Sequence, residues 1–329
     1  MARPTLARIR RTRPRFSEVV EPRTPRVEEL SANGLTWVHV EEPAHLELGE
    51  LADRFGFHEL DVEDVLSKRQ RPKVDDYPAY LFIVLHFPAY DKAIQRLNAA
   101  ELDVFLGHDF LITLPNTELL PVSRLFARCE RDDELREELF AKGSGYLLYH
   151  VLDDLFDYCF PILDKIQHKL DSIEDEMFEG ASERTIVRDI SNVKQEIISY
   201  RKTIKPERAT LRLLERHTER FLPQDLELYF DDIVDAAERV WDLLENYKEV
   251  VEGLESTNES VIYHKQSDIL RILTLFSVTI LPLTLIAGIF GMNVIFPGEG
   301  GDVAFWVILV VMGAALIAMV GFFRWKKWL

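Results

Sequence analysis

Charge is missing from the end of this chain. Between Ile272 and Gly298 there is no Asp, Glu, Lys or Arg, and between Val303 and Phe323 there is none again. A helix crosses the hydrocarbon of a bilayer with about 20 apolar residues. Both stretches are long enough, and a buried core helix of a soluble protein seldom runs so far uncharged. Cysteine is scarce too. Cys129 and Cys159 stand alone, without metal-ligand spacing; that excludes a disulfide framework and reads as buried thiols in a reducing compartment. Positive charge is outnumbered, with 39 Lys and Arg against 56 Asp and Glu and a formal charge of −17. Such a surface excludes nucleic acid as a partner and permits cations. There is no phosphate-cradling glycine loop and no His-Glu-x-x-His, and the nine histidines make no i, i+4 pair. Nothing points to an enzyme, a catalytic residue or a catalytic cofactor.

What is present falls into segments. Residues 1–30 form a basic arm carrying Arg3, Arg8, Arg10, Arg11, Arg13, Arg15, Arg23 and Arg26. Its four prolines and the lack of an apolar core argue for a disordered tail and against a secretory signal. Residues 31–142 read as a cytosolic α/β domain. Strands are predicted at Leu35–Val40, Tyr80–Phe87, Leu102–Leu106 and Phe110–Leu114, with a hairpin turn at Gly107-His108-Asp109 and helices at His45–Phe55 and Glu59–Leu66. Residues 143–271 read as a helical stalk: Gly145–Phe178, Glu183–Phe221 and a run from Asp225 place apolar residues at threes and fours. Pro161 and Pro206 fall inside the first two runs and are expected to kink or shorten them. The third has no proline before the membrane and could continue into the first span, about 65 residues or roughly 100 Å at 1.5 Å per residue.

The spans themselves are 272–291 and 303–323, joined by a loop at 292–302 and followed by a basic tail at 324–329. Arg271, Arg324, Lys326 and Lys327 flank the spans, and the loop carries only Glu299 and Asp302. The positive-inside rule therefore puts both ends in the cytoplasm of a cell (inner) membrane and the loop outside. Two helices enclose no pore, so transport would require several copies. Leu270, Leu273, Ser277, Leu281, Thr284, Gly288 and Gly291 recur at steps of three and four and share one face. It grows smaller and more polar outward, as a pore lining would; a face of small residues packing helix on helix has the same pattern.

At the end of the first span stands Phe290-Gly291-Met292-Asn293. Together with Leu281-Pro-Leu-Thr-Leu-Ile-Ala-Gly288, Glu63-Asp-Val-Leu66, Arg71-Pro-Lys73 and the terminal Arg324-Trp-Lys-Lys-Trp-Leu329, it resembles the CorA family of magnesium and cobalt transport proteins, whose signature is this Gly-Met-Asn. The resemblance covers most of the chain beyond the basic arm. It implies an α+β membrane protein: a funnel-shaped homopentamer with an α/β cytosolic domain, long stalk helices lining the pore, and the second membrane helix outside. The implied cargo and regulatory ion is Mg²⁺ or Co²⁺, and the implied partners are further copies of the chain, the lipid bilayer and divalent cations.

The implied filter is Gly291, Met292 and Asn293. Asn293 oxygens would accept hydrogen bonds from the waters of a hydrated ion, loosely enough for release. Thr284 matches a deeper hydroxyl ring, and Leu270 and Leu273 a hydrophobic constriction. Leu270 and Ser267 stand where the family often has Met and Asn, which departs from its inner amide ring. In the family, cytosolic Mg²⁺ bridges carboxylates between subunits and holds the pore shut. Asp232, in Tyr229-Phe-Asp-Asp-Ile-Val-Asp235, matches one partner of that site, and Asp91, placed in the loop after the second predicted strand, is the counterpart. Glu299 and Asp302 would concentrate cations at the mouth. All four acids also fit plain solvated positions. Rival readings are a Zn²⁺ transporter of the same architecture and a non-conducting membrane scaffold.

Overall fold

The computed structural model describes residues 27–67, 70–91, 96–179, 182–222, 228–292 and 302–326. The described residues fall into two compact units, one within residues 1–164 and 198–244 and the other within residues 165–197 and 245–329.

The first unit is built on a six-stranded sheet. Its strands are β1 (Glu28–Ala32), β2 (Leu35–His39), β3 (Lys73–Asp76), β4 (Tyr80–Asp91), β5 (Arg96–Gly107) and β6 (Phe110–Pro115), in the order β1-β2-β6-β5-β4-β3. β2 and β6 run parallel and the other neighbours antiparallel. Helices α1 (His45–Phe55) and α2 (Glu59–Ser67) cover one face, where Leu48, Leu51 and Val65 pack on Val38, Phe82, Val84, Phe105 and Ile112. The opposite face meets helices α3 (Leu120–Arg131) and α5 (Ser144–Glu179): the Trp37 ring lies 4.9 Å from Phe126, and Phe87 lies 5.5 Å from Phe156. A short helix α4 (Asp133–Ala141) follows α3. A sheet covered on both sides needs apolar residues on both sides, so its strands are near-continuous apolar runs. β6 is buried at every position.

The four predicted strands are β2, β4, β5 and β6, and the predicted turn joins the last two. Gly107 is required there, because a Cβ would fall 2.3 Å from the Phe110 ring. Two strands were not predicted. β1 pairs with β2 across Asn33-Gly34, with φ of 53° and 80°. A two-residue hairpin of this hand needs both residues left-handed, and Asn-Gly is its strongest sequence signal. β3 is the polar edge Lys-Val-Asp-Asp, where a lysine discourages further pairing.

One expectation is corrected. Tyr90-Asp91 was placed in a loop, but β4 continues through Pro88, paired with Ala99, to Asp91, paired with Arg96. β3 covers β4 only at Leu81–Val84, so beyond it β4 is an edge where Pro88, lacking an N–H, breaks no ladder.

The three predicted helical runs are α5, α6 (Glu183–Thr218, closed by a 3-10 turn at Glu219–Phe221) and α7 (Leu228–Phe290, 63 residues). α5 and α6 each run 36 residues and continue past Pro161 and Pro206, so neither proline shortens its helix. Each proline forfeits one helical hydrogen bond, and apolar packing on both sides of it holds the helix together. The last helix is α8 (Asp302–Trp325). Both cysteines are free and buried. Burial pushes the Cys129 thiol up to about 11 and that of Cys159 to about 12, so both stay protonated.

Phe105 is fully buried and stacks on Phe57 at 3.9 Å and Phe82 at 4.7 Å. Phe105→Ala is expected to lower stability by about 3–5 kcal/mol through the cavity it leaves, seen as a lower denaturant midpoint of the far-UV circular dichroism transition.

Candidate functional site

α7 changes character along its length. Phe230, Ile233, Ala237, Val240, Leu244, Tyr247, Val251 and Leu254 are buried at steps of three and four, and Asn258 is the last buried residue. From there the helix is uncovered, still charged through Glu259, Lys265, Asp268 and Arg271, and apolar from Ile272 on. Its most apolar 18-residue window has a mean hydropathy of 2.3 with none of it buried, and α8 has 2.6, likewise with none buried. Such a surface is unstable in water but suited to lipid, because a helix keeps its backbone hydrogen bonds inside itself. At 24 residues α8 is about 36 Å long, enough for the hydrocarbon core.

The predicted pore face lies on this bare part of α7. Leu270, Leu273 and Leu281 are 62%, 60% and 68% exposed in the single chain, and Ser277, Thr284 and Gly288 are exposed beside them. Ser277 Oγ donates to Leu273 O at 2.9 Å and Thr284 Oγ1 to Ile280 O at 2.9 Å. A hydroxyl whose proton is used in this way offers its oxygen lone pairs outward, the right polarity toward a cation or its hydrating waters. The helix ends at the motif. Gly291 N–H donates to Ala287 O at 2.9 Å, Met292 N–H donates to Ile289 O at 3.3 Å, and a Cβ on Gly291 would sit 2.9 Å from Ala287 O. Asn293 and Glu299 lie outside the described residues. Asp302 is the first residue of α8, and its side chain lies outside what is described.

The predicted regulatory acids occupy separate elements of the first unit. Asp91 is the last residue of β4, its side chain also outside the described set, and Asp232 is exposed on the first turns of α7. The structure supplies neighbours for Asp232 that sequence reasoning missed. On α5, the Asp153 carboxyl is pushed up to about 6 by burial and by the charges of Asp157, Asp232 and Asp154. Tyr229 fixes the start of α7 against α5, its ring 5.5 Å from Tyr146 and 4.7 Å from Tyr149. The available signal was Asp153-Asp-Leu-Phe-Asp157, two like charges four apart on one helix face, an arrangement that costs stability without a counter-ion. Among the described residues, no three His, Cys, Asp or Glu side chains are arranged to hold a metal ion.

The family model for CorA-like Mg2+ transporter protein matches residues 32–326. The chain belongs to the CorA family. It is 31% identical over 297 residues to the cobalt/magnesium transport protein CorA of Thermotoga maritima, covering 89% of this chain and 83% of that one. To the putative metal ion transporter YfjQ of Bacillus subtilis it is 30% identical, covering 89% of each. The complete structure of the CorA magnesium transporter from Methanocaldococcus jannaschii superposes with a TM-score of 0.80 at 22% identity, covering 93% of this chain and 95% of that one. The α/β domain, the long helix and the two C-terminal apolar helices are thus the fold of a full-length CorA chain. The CorA family is a family of transporters.

The crowding of Asp153 has a measurable consequence. Its proton is held more tightly in the folded chain than in the unfolded one, where a carboxylate releases it near 4. Ionised Asp153 is therefore a cost to folding that is present above about 6 and fades as pH falls toward 4. Asp153→Asn is expected to raise the thermal midpoint at neutral pH in metal-free buffer, and the gain should shrink as the pH drops through about 6.

Proposed function

We propose that the chain is one subunit of a homopentameric divalent-cation channel that carries Mg²⁺, and Co²⁺ as well, into the cell across the inner membrane. Both termini lie in the cytoplasm. The observation that carries this reading is α7: one helix runs from a packed cytosolic end to a bare apolar end that stops at Gly291-Met292, with outward-facing hydroxyl oxygens at Ser277 and Thr284. Five such helices around an axis enclose a pore whose walls are apolar at Leu270 and Leu273 and more polar toward Thr284. Asn293 from each copy forms the outer ring, where neutral amide oxygens hold the water shell of Mg²⁺ without stripping it. Glu299 and Asp302 raise the cation concentration at the mouth.

Closure follows from the acids. Asp232, with Asp91 of a neighbouring copy, binds cytosolic Mg²⁺ between subunits, and Asp153 and Asp157 deepen the negative potential there. When the ion leaves, the carboxylates repel and the ring loosens. The crowding of Asp153 supports this, since a site that is unfavourable when empty is one that gains by binding a cation.

Two measurements test the reading. Liposomes carrying the full chain are expected to take up Mg²⁺ when interior Mg²⁺ is removed, and Asn293→Ala is expected to abolish uptake while the variant stays oligomeric. No uptake by a folded wild type would favour a membrane scaffold. Asp232→Asn is expected to keep conducting at interior Mg²⁺ concentrations that close the wild type; unchanged closure would remove Asp232 from the regulatory site.

A further inference from the structure

His86 sits where β4, β5 and α6 meet, away from the pore face and from Asp232. Its Nε2 lies 3.2 Å from Glu101 Oε2 on β5 and its Nδ1 lies 3.6 Å from Glu207 Oε1 on α6. The backbone N–H of His86 donates to the same Glu207 oxygen at 2.6 Å, and the backbone N–H of Gln70 donates to Glu101 Oε2 at 2.9 Å. The side chains of Glu101 and Glu207 are 2% and 1% exposed, and among the described residues Glu101 Oε1, Glu207 Oε2 and His86 Nδ1 have no hydrogen-bond partner. Two carboxylates removed from water repel each other and lose hydration, so both need a cation between them. The imidazole ring is placed to be that cation. It borders a cavity of about 420 Å³, lined also by Arg71, Asn98, Lys202 and Thr203, through which water can deliver or remove its proton.

We propose that His86 is a proton-operated latch: as the imidazolium it ties α6 to the β4–β5 ribbon through Glu207 and Glu101, and once deprotonated it lets go. Other ionisable groups face the cluster from the elements around it. Asp103 on β5, Asp64 on α2 and Lys73 on β3 lie in its field, Cys159 on α5 faces Glu207, and Arg71 and Lys202 stand at the cavity. Burial and the charge of Glu101 hold Asp103 well above the usual carboxylate range, and the Cys159 thiol stays neutral. Neither adds charge near neutral pH. Burial lowers the affinity of His86 for its proton, but Glu101 and Glu207 more than reverse this and push it up to about 9. Burial pushes Glu207 up to about 7 against the pull of His86.

The sign follows from linkage. A histidine held above its unfolded value contributes stability that is complete below about 6.5 and lost as pH rises through about 9. Glu207, also raised, loses stability as it ionises between about 4.5 and about 7, so its cost is already complete where the His86 step begins.

The test is thermal unfolding of the full chain in detergent micelles, followed by far-UV circular dichroism from about pH 7 to about pH 10. The wild-type midpoint is expected to fall in a step centred near 9. His86→Gln is expected to unfold at a lower temperature at neutral pH and to lack that step. Glu207→Gln keeps an amide oxygen for the His86 N–H and removes one carboxylate, so its step is expected at lower pH than in the wild type. The same step in His86→Gln, or an unmoved step in Glu207→Gln, would overturn the latch. Should His86→Gln not fold, the position of the step in Glu207→Gln decides alone.

Discussion

Along its 63 residues α7 satisfies its own backbone hydrogen bonds, and that self-sufficiency lets one helix serve two solvents. In water, the half up to Asn258 is held by a buried stripe from Phe230 to Leu254. In lipid, the part from Ile272 to Phe290 needs no partner for its backbone, and its hydroxyls are satisfied by carbonyls one turn back. The interior Pro282 forfeits one such bond. A break between the halves would leave the ends of two helices to be capped at a boundary where neither solvent suits them. The unbroken rod avoids that, and it places the motif residues Gly291 and Met292 at one end of the same element that carries Asp232 near the other.

The first unit shows how charge is tolerated inside a structure of this kind. The sheet is apolar on both faces, yet His86, Glu101, Asp103 and Glu207 are gathered where β4 loses its β3 neighbour. The arrangement works because each charge has a role for its surroundings: Glu207 caps the free N–H of His86 at the sheet edge, Glu101 accepts from Gln70, and the ring stands between them. The acids near Asp232, half-buried Asp153 and exposed Asp157, are the contrary case. They have like charges for neighbours, which makes an approaching cation favourable where it would be indifferent at an ordinary surface. One cluster holds an imidazole between its carboxylates, and the other places carboxylates beside carboxylates.

Much of the architecture could be read from residue order because its causes are local. Two uncharged runs mark membrane helices by length alone, and Phe290-Gly-Met-Asn293 ends the first of them. Leu81–Leu85 and Phe110–Leu114 are apolar runs because the sheet is covered on both sides, and Gly107 marks a turn because a Cβ there would meet the Phe110 ring. β1 was overlooked despite its Asn-Gly, since Glu28 and Glu29 mask the alternation. β3 was overlooked because four residues with two aspartates carry no apolar signal of their own and owe their conformation to pairing with β4.

Composition and spacing by themselves determined the membrane hairpin and the long helices, since each depends on the character of a continuous stretch of chain, and the family was recognised from the likeness of short motifs to a known signature. Tertiary structure decided what depends on residues far apart in sequence. Asp91 belongs to a strand because Arg96 pairs with it across a sheet. Asp153 crowds Asp232 because Tyr146 and Tyr149 of α5 receive Tyr229 of α7. His86 meets Glu207, 121 residues away, because α6 passes the edge of β4. Burial and electrostatic fields arise from such encounters, and no local pattern of residues encodes which distant groups will share them.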